Sequence, residues 1–337
     1  MALLSLVGVL LVVVLAGAAV ATAQAPKDVV LVGAGDIVAC GGGGAFQTAA
    51  LLAANPGTVF TLGDNAYPTG SSADFSCFDQ SWGHFKAGML PVVGNHEYQT
   101  PGAAGYFTYF GAAAAPPYGY YAVNEGSWRI YVLNSECSFV SCAADSPQLA
   151  WLRAELAADD HECVLAMWHE PRFSTGPHED LADVGPFWDA LYAAGAELIL
   201  NGHDHVYERY LPMDPDENVD PTHGMIEIVA GTGGIGGVTF ATTDANLVVG
   251  NDQTFGILKL TLRAHDFDWQ FIPVAGKTFT DSGSASCHGR PTPPFPTSPP
   301  SDRSPSSSAQ PLPSDDDAPL TGPVGSVAPA SRPSPTP

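Results

Sequence analysis

The sequence predicts an α/β fold: a four-layer α/β/β/α sandwich in which two mixed sheets pack face to face and helices cover their outer sides. Three features carry this. Short apolar runs rich in Val, Leu and Ile recur through the middle of the chain, and five of them end in polar clusters. Helical repeats separate some of these runs. Later, two runs alternate with period two across a tight connection. Short continuous apolar runs read as strands buried on both faces. Strands interleaved with helices imply parallel crossover units, and the alternating pair adds an antiparallel hairpin.

In chain order, "VVLVGAGD" ends at Asp36, "TVFTLGDNAY" delivers Asp64 and Tyr67, and "MLPVVGNHE" delivers Asn95 and His96. "CVLAMWHE" delivers His169, and "AELILNGHDH" delivers His203 and His205. Between the third and fourth runs, "SPQLAWLRAELAADD" opens with Ser146-Pro147 and spaces Leu149, Leu152 and Leu156 at helical intervals. Between the fourth and fifth, "GPFWDALYAAGA" is a helix with Gly195 placed as its C-terminal cap. "FGILKLTL" and "FDWQFIPV", joined by "RAHD", form the hairpin. Ligands of open α/β sheets bind outside the carboxyl ends of the strands. One sheet edge should therefore gather all the polar clusters. A lone histidine after a strand is usually a core or capping residue, and a lone Gly-Asp is usually a turn. Five clusters of metal-capable residues at five strand ends outweigh that reading.

The two ends differ from the middle. Leu3 to Ala21 is almost wholly apolar and is followed by the small-residue pattern Ala21-Thr22-Ala23. Residues 1–23 therefore read as a secretory signal peptide, although the segment lacks a basic start and is nearly long enough to span a membrane. The mature chain would begin near Gln24, with no stable membrane span after cleavage. From 290 to 337 the chain is mostly Pro, Ser, Thr and Ala. Such a composition cannot bury enough surface to fold, so it reads as a disordered tail or a linker that contacts a cell wall. Residues 24–289 remain as one large domain, long enough for a full core. With 12 basic and 35 acidic residues the formal net charge is −23, which disfavours binding to nucleic acid or anionic membranes. Six cysteines in an exported chain suggest disulfides. Cys137 and Cys142 are close enough to close a small loop. Cys40 with Cys77 and Cys163 with Cys287 are the pairings this leaves us to guess among several.

The ordered set GD, GDNAY, GNHE, histidine after a strand, and GHDH resembles the calcineurin-like metallophosphoesterase superfamily. Within it, the chain is similar to the purple acid phosphatases, over roughly Val29 to His288. Most of the superfamily carries a ligand histidine two residues after the first aspartate, where this chain has Val38. Purple acid phosphatases lack that histidine and use a tyrosine three residues after the second aspartate, where this chain has Tyr67. The usual first block of those enzymes has glycine at the Val38 position, a mild departure.

The resemblance implies that Asp36, Tyr67 and His205 hold one metal, that Asn95, His169 and His203 hold the other, and that Asp64 bridges. It implies a ferric ion beside a divalent zinc, manganese or iron, and hydrolysis of a small phosphate monoester by metal-activated hydroxide. His203 and His205, two apart in extended chain, would face the same way while Asp204 points elsewhere. His96 would stabilise phosphoryl charge. His178, where the family keeps a substrate-facing histidine, would be the general acid. Glu179 follows it at a position where some relatives carry a second histidine. His84, His161, His223, His265 and His288 fit no block, and "GTGGIGG" lacks the lysine of a nucleotide loop. The alternatives are a phosphodiesterase or nucleotidase on the same scaffold, and a non-catalytic surface binding module.

Overall fold

The hairpin seen in the sequence anchors the first of two sheets. In the computed structural model, which describes residues 27–289 apart from 179 and 237, β12 (Gly256–Leu262) and β13 (Asp266–Pro273) pair antiparallel. β14 (Ser282–Ser286) adds outside β13, and β1 (Val29–Ala34) lies antiparallel to β12. β3 (Thr58–Thr61) completes this five-stranded sheet parallel to β1. Beside the carboxyl ends of β1 and β3, the short β2 (Val38–Ala39) and β4 (Ala66–Tyr67) pair with each other. The buried Val38 thus packs where the resemblance to most of the superfamily would have put a histidine.

The second sheet has seven strands. β6 (Trp128–Val132), β7 (Cys163–Met167), β8 (Leu198–Asn201) and β10 (Ile226–Ala230) run parallel at its centre. β5 (Tyr121–Glu125) closes one side, and β9 (Tyr207–Tyr210) followed by β11 (Leu247–Asn251) closes the other, all antiparallel to their neighbours. Both sheets are mixed, as the interleaved helices and the hairpin require.

One apolar layer fuses the sheets: Leu31, Phe60, Leu258 and Phe271 from the first meet Ile130, Leu165, Met167 and Leu198 from the second. The outer face of the first sheet is covered by α1 (Gly44–Ala54), α2 (Ser72–Asp79) and α4 (Ala104–Phe110), whose Leu52, Phe75, Phe78 and Tyr106 pack with Val32 and Ile257. A single short turn, α3 (Asn95–Tyr98), follows the third polar cluster. The outer face of the second sheet is covered by α5 (Pro147–Ala158) and α6 (Gly185–Ala194). In α5 the Ser146 hydroxyl accepts from the Leu149 amide at 3.2 Å, and Leu149, Leu152 and Leu156 are buried on one stripe. α6 ends at Gly195, whose φ of 80° is left-handed backbone that glycine adopts freely.

One expected strand is absent. The run "MLPVV" pairs its backbone with the first sheet through a bridge from Leu90 to Phe60 and forms no ladder beyond it. Pro91 has no N–H to give a ladder, and side chains take over the neighbouring backbone groups. The Pro91 carbonyl accepts from the hydroxyls of Tyr106 and Tyr121, the Val92 amide donates to Thr61 Oγ1, and the Val92 carbonyl accepts from Asn65 Nδ2.

The cysteines pair as Cys40–Cys77, Cys137–Cys142 and Cys163–Cys287. Cys163 and Cys287 are 124 residues apart and Cys137 and Cys142 only 5. Loop-closure entropy then predicts that deleting the first pair costs about 5 kcal/mol and the second about 2 kcal/mol. Denaturant unfolding of the two double-alanine variants measures the difference, and equal losses would contradict the entropic account. The leader segment and the Pro/Ser-rich tail both lie outside the described residues. Among those residues, no helix is long and apolar enough to cross a membrane.

Candidate metal centre

The loops that leave β1, β3, β7 and β8 deliver their polar side chains to one edge of the sandwich, and the start of α3 joins them. The backbone is bent sharply to achieve this. Asp36, Asp64 and His203 have φ of 60°, 47° and 72°, the left-handed region that non-glycine residues adopt at a cost. Gly202 answers why a glycine precedes the paired histidines. A Cβ there would sit 2.5 Å from the Leu62 carbonyl oxygen and 2.8 Å from Asp36 Oδ2. The extended conformation expected for His203 to His205 is not what forms. β8 stops at Asn201, and the left-handed His203 opens a bend that lasts until β9. The outcome for the side chains is still two imidazoles aimed at one centre and Asp204 turned away from it.

Seven of the residues picked out from the sequence form two adjoining groups. In one, the Tyr67 hydroxyl lies 2.7 Å from Asp36 Oδ1, 2.8 Å from Asp64 Oδ2 and 3.1 Å from His205 Nε2. In the other, Asn95 Oδ1 lies 3.0 Å from His169 Nε2 and 3.1 Å from His203 Nδ1, and these two nitrogens are 3.2 Å apart. Asp64 Oδ2 also reaches His169 Nε2 at 3.4 Å, so one carboxylate oxygen belongs to both groups. Asp64, His169 and His203 each offer a ligand atom within 4.8 Å of the others.

Backbone groups hold the rest of each side chain. The amide of His203 donates to Asp36 Oδ2 at 2.8 Å, and that of His96 donates to Asp64 Oδ1 at 2.9 Å. His169 Nδ1 donates to the Leu62 carbonyl at 2.7 Å, which leaves Nε2 as a lone pair facing inward when the ring is neutral. His96 Nδ1 likewise donates to the Pro68 carbonyl at 2.6 Å.

The electrostatics fit cations. Burial, then the Asp36 and Asp64 charges, push the Tyr67 phenol well above its ordinary value. Burial would raise Asp64 too, but His169 and His96 hold it well below the usual carboxylate range. Burial, then His169 and His178, push His203 down to about 3, so it is neutral and able to ligate. Converging lone pairs on imidazole, amide carbonyl and carboxylate, with a buried phenol crowded by two carboxylates, are a donor set that suits two metal ions.

His178 stands beside the centre. Its ring is 4.3 Å from that of His203, and its Nδ1 is 2.8 Å from Asp204 Oδ1. That hydrogen bond raises its pKa against partial burial. Glu179 is outside the described residues. The histidines that fitted no block are elsewhere: His161 pairs with Asp159 and His265 with Glu162.

Sequence reading missed two carboxylates. Glu97 is fully buried and accepts from the amides of Asn65 (2.8 Å), Ala66 (3.2 Å) and Gly94 (2.9 Å), clamping the second and third clusters together. Burial and the Asp64 charge raise it to about 8. Its place three residues after Gly94, at the start of a helical turn, was the available signal. The other is Asp204. The glycine loop at 231–237 also has a part. The Gly233 amide donates to the Gly35 carbonyl and the Ile235 amide to the Asp36 carbonyl, so the loop buttresses the first cluster from behind.

The family model described as calcineurin-like phosphoesterase matches residues 18–207. The chain belongs to that family. Among its relatives, purple acid phosphatase 15 of Arabidopsis thaliana is 26% identical over 223 residues, 55% of this chain and 41% of that protein. A nucleotide pyrophosphatase/phosphodiesterase of Hordeum vulgare is 25% identical over 253 residues, 61% of this chain and 65% of that protein. The solved structure of purple acid phosphatase PPD1 from yellow lupin seeds superposes with a TM-score of 0.67 at 18% identity, over 78% of this chain and 54% of that one. The chain thus spans less than two thirds of the length of each, and the lupin structure shows the shared fold.

Proposed function

We propose that this chain is an exported phosphomonoesterase that works with two metal ions. The observation that carries the reading is Asp64, whose Oδ2 lies in both donor groups, as a ligand shared by two ions must. Asp36, Tyr67 and His205 would hold one ion, and Asn95, His169 and His203 the other. Carboxylates and a phenolate suit a ferric ion, while two imidazoles and an amide carbonyl suit divalent zinc, manganese or iron. When bound, such a pair neutralises phosphoryl charge and acidifies water.

The chain's own residues position and protonate. With Nδ1 tied to Pro68, His96 turns Nε2 toward the shared carboxylate, 3.8 Å from Asp64 Oδ2, where it would donate to a phosphoryl oxygen. With Nδ1 tied to Asp204, His178 would present Nε2 to the departing alcohol as general acid. Three disulfides favour an oxidising compartment, and support reading residues 1–23 as an export signal ahead of a catalytic domain at 24–289. A linker at 290–337 would follow it.

A second reading has its own support. Similarity to the barley pyrophosphatase/phosphodiesterase favours diesters or nucleotides, and rates on matched aryl mono- and diesters separate the two. The test of the metal assignment is metal analysis of purified protein with its visible spectrum. Two ions per chain are expected, one of them iron, with a phenolate-to-iron charge-transfer band. Tyr67→Phe should abolish the band and keep the fold, because the ring still packs at 4.1 Å from that of His96. An iron-loaded wild type that is colourless under oxidising conditions refutes tyrosinate ligation and leaves the phosphoesterase reading standing.

A further inference from the structure

We propose that Asp204, the residue between the two site histidines, is the positioning carboxylate of His178; the inference rests on the general-acid role given to His178 above. Asp204 is wholly buried, and its carboxylate bonds to Ser174 and His178 rather than to His203 or His205 on either side of it. Among the described residues, the donors that reach its carboxylate all come from the loop carrying His178. Oδ1 accepts from both the His178 amide (3.2 Å) and its ring Nδ1 (2.8 Å), and Oδ2 accepts from the Ser174 hydroxyl (2.5 Å). The same side chain therefore fixes where the histidine starts, which way the ring faces and which nitrogen carries the proton. With Nδ1–H committed to a carboxylate, Nε2 is the nitrogen left to meet substrate.

The contact is built rather than incidental. Gly176 lies against the Asp204 carboxylate so closely that a Cβ there would overlap it. Ser174 is held in turn, since its hydroxyl accepts from the Gly176 amide at 3.0 Å and lies 3.1 Å from Glu208 Oε2. Glu208 is buried on β9 and also binds the Thr175 amide at 3.0 Å and the Thr175 hydroxyl. The loop that carries His178 is thus riveted to β9 and the bend before it through two carboxylates, and of the two only Asp204 bonds to the imidazole. A histidine whose side chain is 45% exposed would otherwise sample many rotamers. Orientation of this kind is worth orders of magnitude in rate.

The test uses the full chain loaded with zinc, so that histidine NMR lines stay sharp, and needs no turnover for its first arm. At a pH high enough for the ring to be neutral, the wild-type His178 nitrogen spectrum, assigned by its loss in His178→Ala, should show a protonated Nδ1 and a bare Nε2, the nitrogen that takes up the transferable proton when the ring is charged. Asp204→Ala should collapse this to a mixture of tautomers. Asp204→Asn, whose amide oxygen can still accept both His178 donors, should largely retain it. In the second arm, Asp204→Ala should slow an alkyl phosphate roughly 10²–10⁴-fold, as expected for loss of a general acid. The double variant with His178→Ala should be no slower than His178→Ala alone. An unchanged tautomer in Asp204→Ala overturns the proposal. So do additive losses in the double variant, or a uniform fall on alkyl and aryl substrates with falling zinc content, which would mark a purely structural role. If wild type hydrolyses no phosphoester, the phosphomonoesterase reading fails, and the NMR arm still decides whether Asp204 orients His178.

Discussion

Asp64→Ala is expected to strip the centre of at least one metal ion and to lower kcat/KM by 10³-fold or more, a loss of about 4 kcal/mol in transition-state stabilisation. Its Oδ2 is the one atom common to both donor groups, and its Oδ1 fixes the His96 amide. Two cations held side by side repel, and a shared anion is what keeps them together at a useful spacing. Removing it should therefore hurt both occupancy and chemistry, and it should free His96. Metal content per chain and kcat/KM on an aryl monoester measure the two losses, with Asp64→Asn as a variant of nearly the same shape. Two ions retained with normal turnover would refute the assignment of all seven ligands.

The same variant exposes a dependence on the ions for binding itself. The chain carries a formal charge of −23, and among the described residues no lysine or arginine bonds to any group of the centre. Asp36 and Asp64 add local negative charge. A phosphate dianion has no reason to enter such a place unless the bound ions reverse its sign. Surface charge beyond roughly 8 Å is screened at physiological salt, so the local reversal decides.

The candidate donor set was legible in the sequence because each member follows a short apolar run such as "CVLAM" or "AELIL", and all of these runs except the one before Asn95 form strands. Chain order and residue type carried that information. What was illegible depends on contacts across the chain. Asp204 reads as a spacer between two histidines, and its work lies with Ser174 and His178, about thirty residues away. Glu97 reads as the tail of a motif, and its work lies with Asn65 and Ala66. Strand β14, "SGSAS", has almost no apolar content and exists through main-chain pairing with β13. The "MLPVV" run failed in the opposite way. It has the apolar content of a strand and loses the ladder to a proline. The left-handed backbone at His203 was equally invisible, because it is a non-glycine strain imposed by the surrounding loops.

His178→Ala is expected to slow alkyl phosphates by roughly 10²–10⁴-fold and activated aryl phosphates far less, provided the chemical step limits both. The physical reason lies in the leaving group. An aryl oxide of low pKa departs unprotonated, whereas an alkoxide needs a proton delivered as the bond to phosphorus breaks. The ring of His178 sits 4.3 Å from that of His203, with one nitrogen bound to Asp204 and the side chain 45% exposed, close enough to meet the departing oxygen and open enough to exchange its proton with solvent. Three roles give three patterns in a plot of log kcat against leaving-group pKa. A proton donor gives a steeper negative slope in the variant than in wild type. A residue that only grips the phosphoryl group gives parallel lines displaced downward, because the lost contact is the same for every alcohol. A solvated loop residue gives superimposed lines. Parallel or superimposed lines would rule out the acid role for His178 and leave the proposed metal assignment, which does not depend on the departing alcohol, untouched.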